Sequence, residues 1–404
     1  MLREHRNSFA FWIFGFCNYF QLVIMLAAAE DIISVSFTQI HSSVNTSNCN
    51  VQSTGIILLA TVIPGLASKL LAPVFFDRID FIFRFSIIIA SAALSLLLVG
   101  IFTNQYLCFL GIMLAGVCAS FGEAVMLAFT VNFDRSMIGM YSSGSGMSGL
   151  GGAFVYACLR QIGFSKGCTM LMCEAAPLLY IISYVFILDK SESISKEECQ
   201  SLNFDEAKNN TQSTPTKKAS KNITKHQSIV LTTEEKLLAF KGVFKFNLVL
   251  FIVFTAEYYI NLGLLQNIKF KSIFLSNASQ YRFYQLTYSL GVVVSRSSVG
   301  FIRIPFIGIV IATFLQWINA IFFTIEAFEH FIPTIWITFV IIFIEGMIGG
   351  ACLVNSVYII SEESTEKLRE FSLALSTIGD EIGITSAGLV ALFAHHYICK
   401  QNIN

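Results

Sequence analysis

Charge is scarce in this sequence of 404 residues. Only 13% of its residues are charged, and Lys+Arg 26 balances Asp+Glu 26. A soluble domain carries about a quarter charged residues, so an ordinary soluble fold is excluded. A zero net charge also removes the basic footprint that nucleic-acid binding needs. Proline is rare, at six residues against 39 phenylalanines, which argues against a disordered or collagen-like chain. The ten cysteines include no CxxC pair, and most lie in apolar runs, so neither a zinc site nor a disulfide framework is expected. Cys49, Cys108 and Cys168 fall near one membrane face, where an oxidising compartment would let them pair; the other cysteines read as core filling. There is no His-Glu-x-x-His, and Ile378-Gly379-Asp380 lacks the preceding glycine of an aspartyl intramembrane protease. No enzyme, metal site or cofactor is expected.

What is abundant is apolar surface: 55% of residues are hydrophobic and the mean hydropathy is +0.68. The runs predict an all-α polytopic membrane protein with about eleven transmembrane helices. Their approximate spans are 9–33, 53–76, 81–103, 106–131, 137–159, 169–188, 243–266, 282–299, 304–325, 333–360 and 371–396. The first is too long for a signal peptide and is read as uncleaved. Residues 189–240 hold 16 charges in 52 residues and read as a disordered linker between a six-helix bundle, 1–188, and a five-helix bundle, 241–404. With the N-terminus in the cytosol, 18 of the 26 Lys and Arg fall in cytosolic connectors and six on the opposite side, as the positive-inside rule requires. Asn45 and Asn277 then head glycosylation tripeptides on the non-cytosolic side, while Asn209 and Asn222 stay in the cytosol.

A 6-plus-5 layout matches a duplicated transporter of the major-facilitator type. Two echoes support it: Lys69 and Arg296 recur at matched depths in the second and eighth spans, and Gly122-Glu123 and Glu345-Gly346 in the fourth and tenth. Lys69, Glu123, Glu174, Glu257, Arg296, Glu345, Asp380 and Glu381 all fall within spans, where each charge is costly and so a functional candidate. Lys69 and Arg296 either face each other and hold an anionic substrate or are each paired with a glutamate. Glu123, Glu257 and Glu345 are candidates for proton coupling, because loss of water favours the neutral carboxyl. Asn18 on the first span and Asn261, four residues after Glu257, read as cavity-lining groups or interhelical hydrogen bonds, with Tyr258 beside them. The glycine and serine run Ser142–Gly152 has no following Lys and reads as close helix packing.

Several stretches resemble the battenin family of lysosomal membrane proteins. They are Phe11-Trp12-Ile13-Phe14-Gly15-Phe16-Cys17-Asn18, Lys69-Leu70-Leu71-Ala72-Pro73, Ala256-Glu257-Tyr258-Tyr259-Ile260-Asn261, Gln280-Tyr281-Arg282-Phe283-Tyr284-Gln285, Ser295-Arg296-Ser297-Ser298 and Glu345-Gly346-x-x-Gly349-Gly350. The resemblance implies a major-facilitator-like fold in lysosomal and late endosomal membranes. It also implies export of glycerophosphodiesters or a related small anionic product of lipid breakdown, with effects on lysosomal pH. Cys399 is followed by five residues, where a prenylation box has three, so prenylation is not expected. Leu237 and Leu238, after Glu234-Glu235, are expected to form a dileucine signal for sorting adaptors. The alternative reading is a membrane scaffold or trafficking regulator acting through 189–240.

Overall fold

The computed structural model describes residues 2–29, 31–32, 52–75, 79–189, 231–270 and 277–401. Among them every regular element is helical, as expected where backbone groups have no water to bond. The helical pieces form eleven rods. The first half contains α1 (Leu2–Ala27), α2 (Gln52–Phe75), α3 (Phe81–Ile101), α4 (Gln105–Phe129) and α5 (Ser136–Ile162). Its last rod, α6, runs through Lys166–Met172, Ala175–Ile182 and the wide-turn segment Ser183–Ile187. The second half contains α7 (Thr233–Tyr258, continued by the wide-turn segment Tyr259–Leu264), α8 (Asn277–Ser298), α9 (Phe306–Glu329) and α10 (Ile335–Glu363). It closes with α11, which is Glu366–Leu375 followed by Ile378–Gln401.

Three boundaries differ from the sequence expectation. The linker assigned to 189–240 ends early, because α7 starts at Thr233 rather than near 243. Thr232 and Glu235 cap it reciprocally: the Thr232 hydroxyl accepts from the Glu235 amide at 3.3 Å, and the Glu235 carboxylate accepts from the Thr232 amide at 3.0 Å. Residues 190–230, with Asn209 and Asn222, and Asn45 lie outside the described residues. The sixth span is interrupted at Cys173-Glu174. The eleventh is broken at Ser376-Thr377, where Asn247 of α7 serves both sides of the break. Its side-chain amide donates to the Leu375 carbonyl at 3.0 Å, and its oxygen accepts from the Gly379 amide at 2.7 Å. Cys168 is a free thiol, and the Cys108 thiol donates to the Phe102 carbonyl at 3.2 Å.

Seven rods, α1, α3, α4, α6, α7, α9 and α10, are long and apolar enough to cross a bilayer. The rods outside that set are α2, α5, α8 and α11, which recur every third position in the chain; α2 carries the shorter apolar stretch Ile57–Pro73. They are also the rods at which the halves meet, α2 against α11 and α5 against α8. Both contacts are antiparallel: along α2 the positions of Leu58 and Gly65 approach Gly388 and Glu381, and along α5 those of Gly146 and Gly149 approach Val293 and Ser289.

Within each half the same two parallel pairings occur, α1 on α5 and α2 on α4, then α7 on α11 and α8 on α10. Each is a backbone approach made at glycine. A Cβ on Gly144 would collide with the Trp12 carbonyl, on Gly116 with Thr61, on Gly379 with Asn247, and on Gly346 with Tyr288. At the face carrying the N-terminus the first half's apolar core runs on into Val243, Phe246, Val357, Ile360, Leu373, Ala374, Leu375 and Ile378. On the opposite side, Asp31 accepts from Tyr156 at 2.6 Å and pairs with Arg160 at 3.0 Å, joining the ends of α1 and α5. The rods α3, α6 and α9 form the outer wall, with α9 exposing Ile307, Phe314, Ile321 and Ile325.

Replacing Gly346 with Leu should force α8 and α10 apart and cost about 1–3 kcal/mol. Gly242→Leu, on α7 with nothing within 4 Å of its added Cβ, should leave stability unchanged. Melting curves of the detergent-solubilised variants check both.

Candidate functional site

The two matched cations occupy equivalent places on α2 and α8, but their surroundings differ. Lys69 has 0% exposure. Its ammonium lies 2.6 Å from Glu123 on α4 and 3.2 and 3.4 Å from Asp380 and Glu381 on α11. Glu381 also accepts from the Ser120 hydroxyl at 2.9 Å. Asp380 and Glu381 open the second piece of α11, where free amide groups and the helix dipole favour negative charge. Lys69 therefore joins α2 and α4 of one half to α11 of the other.

Arg296 is half-buried at the contact between α8 and α5. It donates to the Ser145 hydroxyl at 2.7 Å, and the neighbouring Ser143 and Ser297 hydroxyls lie 2.8 Å apart. Among the described residues no carboxylate stands within ion-pair distance of it, and its Nε has no hydrogen-bond partner. Where α11 offers two acids to Lys69, α5 offers serines to Arg296. One of two equivalent cations is thus neutralised, and the other is not.

The remaining expected residues cluster around these rods. Asn18 donates to the Ala119 carbonyl at 2.9 Å and the Tyr141 hydroxyl at 3.1 Å, leaving its own oxygen unpartnered. Its counterpart in the second half is Glu257, which accepts from the Tyr288 hydroxyl. Both press on glycines of the facing rod: a Cβ on Gly122 would strike Asn18, and one on Gly349 would strike Glu257. Asn261, in the wide-turn segment of α7, donates to Glu345 at 2.8 Å. Tyr258 is half-buried and stacks on Phe254 with centroids 6.2 Å apart. Glu174 sits away from both clusters, at the break in α6.

Leu237 and Leu238 are exposed on the first turns of α7, and Asn277 heads α8. Sequence reading noted Asp380 and Glu381 as buried charges without giving them a role, and it missed Ser120, Ser145 and Tyr288. Nothing in a span's own composition distinguishes a serine that meets a guanidinium from one that bonds its own helix.

The difference between the cations sets a stability test. Lys69→Met strands three buried carboxylates and should cost about 3–5 kcal/mol, whereas Arg296→Met removes no acid's partner and should cost much less. Thermal unfolding of the two variants side by side checks the order.

Comparison with known proteins agrees with this architecture. Residues 9–401 match the CLN3 protein family. The chain is 34% identical to battenin of Canis lupus familiaris, covering 98% of this chain and 91% of that one. It is 30% identical to protein btn-1 of Neurospora crassa, covering 98% and 89%. Among solved structures, the human organic anion transporter MFSD10 superposes with a TM-score of 0.68 at 9% identity, covering 98% of this chain and 96% of that chain. The proton:xylose symporter XylE superposes with a TM-score of 0.65 at 11% identity, covering 99% and 94%. The fold is that of the major facilitator superfamily, and by sequence the chain belongs to the CLN3 family.

Proposed function

We propose that this chain is a lysosomal and late endosomal membrane transporter that exports glycerophosphodiesters or a related small anionic product of lipid breakdown. The observation that carries the reading is Arg296, a guanidinium without an acid partner at the contact between the two halves. A guanidinium offers a planar fork of donors that fits two oxygens of a phosphodiester or carboxylate. Asn18, Tyr258 and Asn261 supply polar groups on α1 and α7, the leading rods of the two halves. Lys69 is held by three carboxylates and joins the anion site only when α2 and α11 part. Alternating access is then a rocking of one half on the other about the contacts α2 with α11 and α5 with α8. Glu123, Glu257 and Glu345 couple this cycle to protons, which links the transporter to lysosomal pH.

The Lys and Arg distribution supports a cytosolic N-terminus, and Asn45 and Asn277 then face the lumen for glycosylation. Leu237 and Leu238 stand exposed on the cytosolic side of that arrangement, available to a sorting adaptor.

Polar metabolite profiling of lysosomes from cells lacking the protein tests the export reading. Phosphodiesters should accumulate, fall on re-expression of the native chain, and remain high with Arg296→Gln at equal protein level. Clearance by Arg296→Gln would remove Arg296 from the site. Level phosphodiesters together with failed sorting of other membrane proteins would favour a scaffold instead. In the same cells, Leu237→Ala with Leu238→Ala should move the protein out of lysosomes, as imaging would show.

A further inference from the structure

Among the described residues, no cation stands within ion-pair distance of two buried carboxylates of the second half. Glu257 on α7 and Glu345 on α10 are 1% and 0% exposed. Each has one oxygen engaged by a neutral donor, the Tyr288 hydroxyl on Glu257 Oε1 and the Asn261 side-chain amide on Glu345 Oε1 at 2.8 Å. The other oxygens, Glu257 Oε2 and Glu345 Oε2, have no hydrogen-bond partner. They belong to one contact of α7 with α10: Gly349, one turn beyond Glu345, lacks a Cβ where Glu257 Oε2 lies, and Asn261, one turn beyond Glu257, meets Glu345. The wide-turn segment Tyr259–Leu264 follows Glu257 directly and carries Asn261 to Glu345. Such insertions concentrate at functional sites.

Among the described residues, the titratable and charged groups facing the pair come from α7, α8, α10 and α11; α9, which also packs on α7 and α10, contributes none. Tyr288 and Arg296 belong to α8, Cys352 to α10 and Tyr258 to α7, and the charges of Asp380 and Glu381 on α11 reach Tyr258. Arg296 is the cation among them, and its hydrogen bond goes to Ser145 rather than to either carboxylate. Two ionised carboxylates sharing a dry site repel strongly enough that one holds a proton.

We propose that Glu257 and Glu345 hold one exchangeable proton between the two residues, and that this proton is linked to anion binding at Arg296. The linkage rests on the reading of Arg296 as the anion site. The proton comes from water and returns to water, so that only an O–H bond is made and broken. With it bound the pair carries one negative charge, competes weakly for the guanidinium and leaves it to the anion. Without it the pair carries two, draws on Arg296 and weakens its hold on the anion. Reciprocity then requires that a bound anion favour the shared proton.

The test has two arms. The first needs no substrate: infrared difference spectra of the purified full-length chain, recorded as the pH is stepped from acid to neutral. A carbonyl band of a protonated carboxyl should fade with rising pH, disappear in both Glu257→Gln and Glu345→Gln, and shift in frequency in Tyr288→Phe, which keeps both acids. A band untouched by these variants overturns the shared proton. So does a band removed at constant pH by sodium chloride but not by choline chloride, which makes the pair a sodium site. The second arm uses proteoliposomes and radiolabelled glycerophosphoglycerol. Both Gln variants should lose about tenfold of the accumulation driven by a pH gradient while keeping anion-for-anion exchange. Unchanged gradient-driven accumulation, or equal loss of both modes by protein that remains monodisperse, overturns the linkage. No uptake by the native chain overturns the anion reading and the linkage with it, and the infrared arm still decides the shared proton.

Discussion

An ammonium out of reach of water must have its charge met by its neighbours, and at Lys69 that requirement fixes the relation between the halves. The desolvation cost of a buried ion is several kcal/mol and is offset only by close, well-placed counter-charges. Here those counter-charges come from α4 of the same half and α11 of the other. The rods that bring them together must approach closely. Gly65, beside Lys69 on α2, has no side chain to hold off Ser120 and Glu381. The break in α11 serves the same end, since it places Asp380 and Glu381 at a fresh helix start facing α2.

The second half repeats the plan with one element changed. The pairings of α1 with α5 and α2 with α4 return as α7 with α11 and α8 with α10, and the cation of α2 returns on α8. The change lies in the rod from the opposite half: acids on α11, hydroxyls on α5. A symmetric pair of clamps would hold the halves equally at both contacts. The asymmetry instead leaves one contact held by charge and the other by weak hydroxyl bonds, with a guanidinium available to a ligand.

Much of this was legible in the sequence because bilayer chemistry writes large. Span lengths and the recurrence of Lys69 with Arg296 follow from how seldom charge is tolerated at depth. The echo of Glu123 in Glu345 does not hold in space: Asn18 and Glu257 press on Gly122 and Gly349, so Glu345 stands more than a turn from the place that matches Glu123. The start of α7 was legible too, since Thr232 and Glu235 have capping-box spacing, but the local charge density masked it. The break in α11 was not, because the amide that satisfies it lies on Asn247, 132 residues from Gly379. The partition of acids between the cations was equally hidden. Lys69 and Asp380 are 311 residues apart, and no periodicity within either span reports which rods become neighbours.

The outer rods carry a different consequence. Because α3, α6 and α9 face lipid and stand apart from the cation clusters, their sequence is constrained by oiliness and length more than by shape. Lineages living with thinner or thicker membranes are free to retune these three rods without disturbing the chemistry at the centre. Sequence drift in this family should therefore be fastest on its rim and slowest along the rods where the halves meet, so that the protein ages from the outside inward.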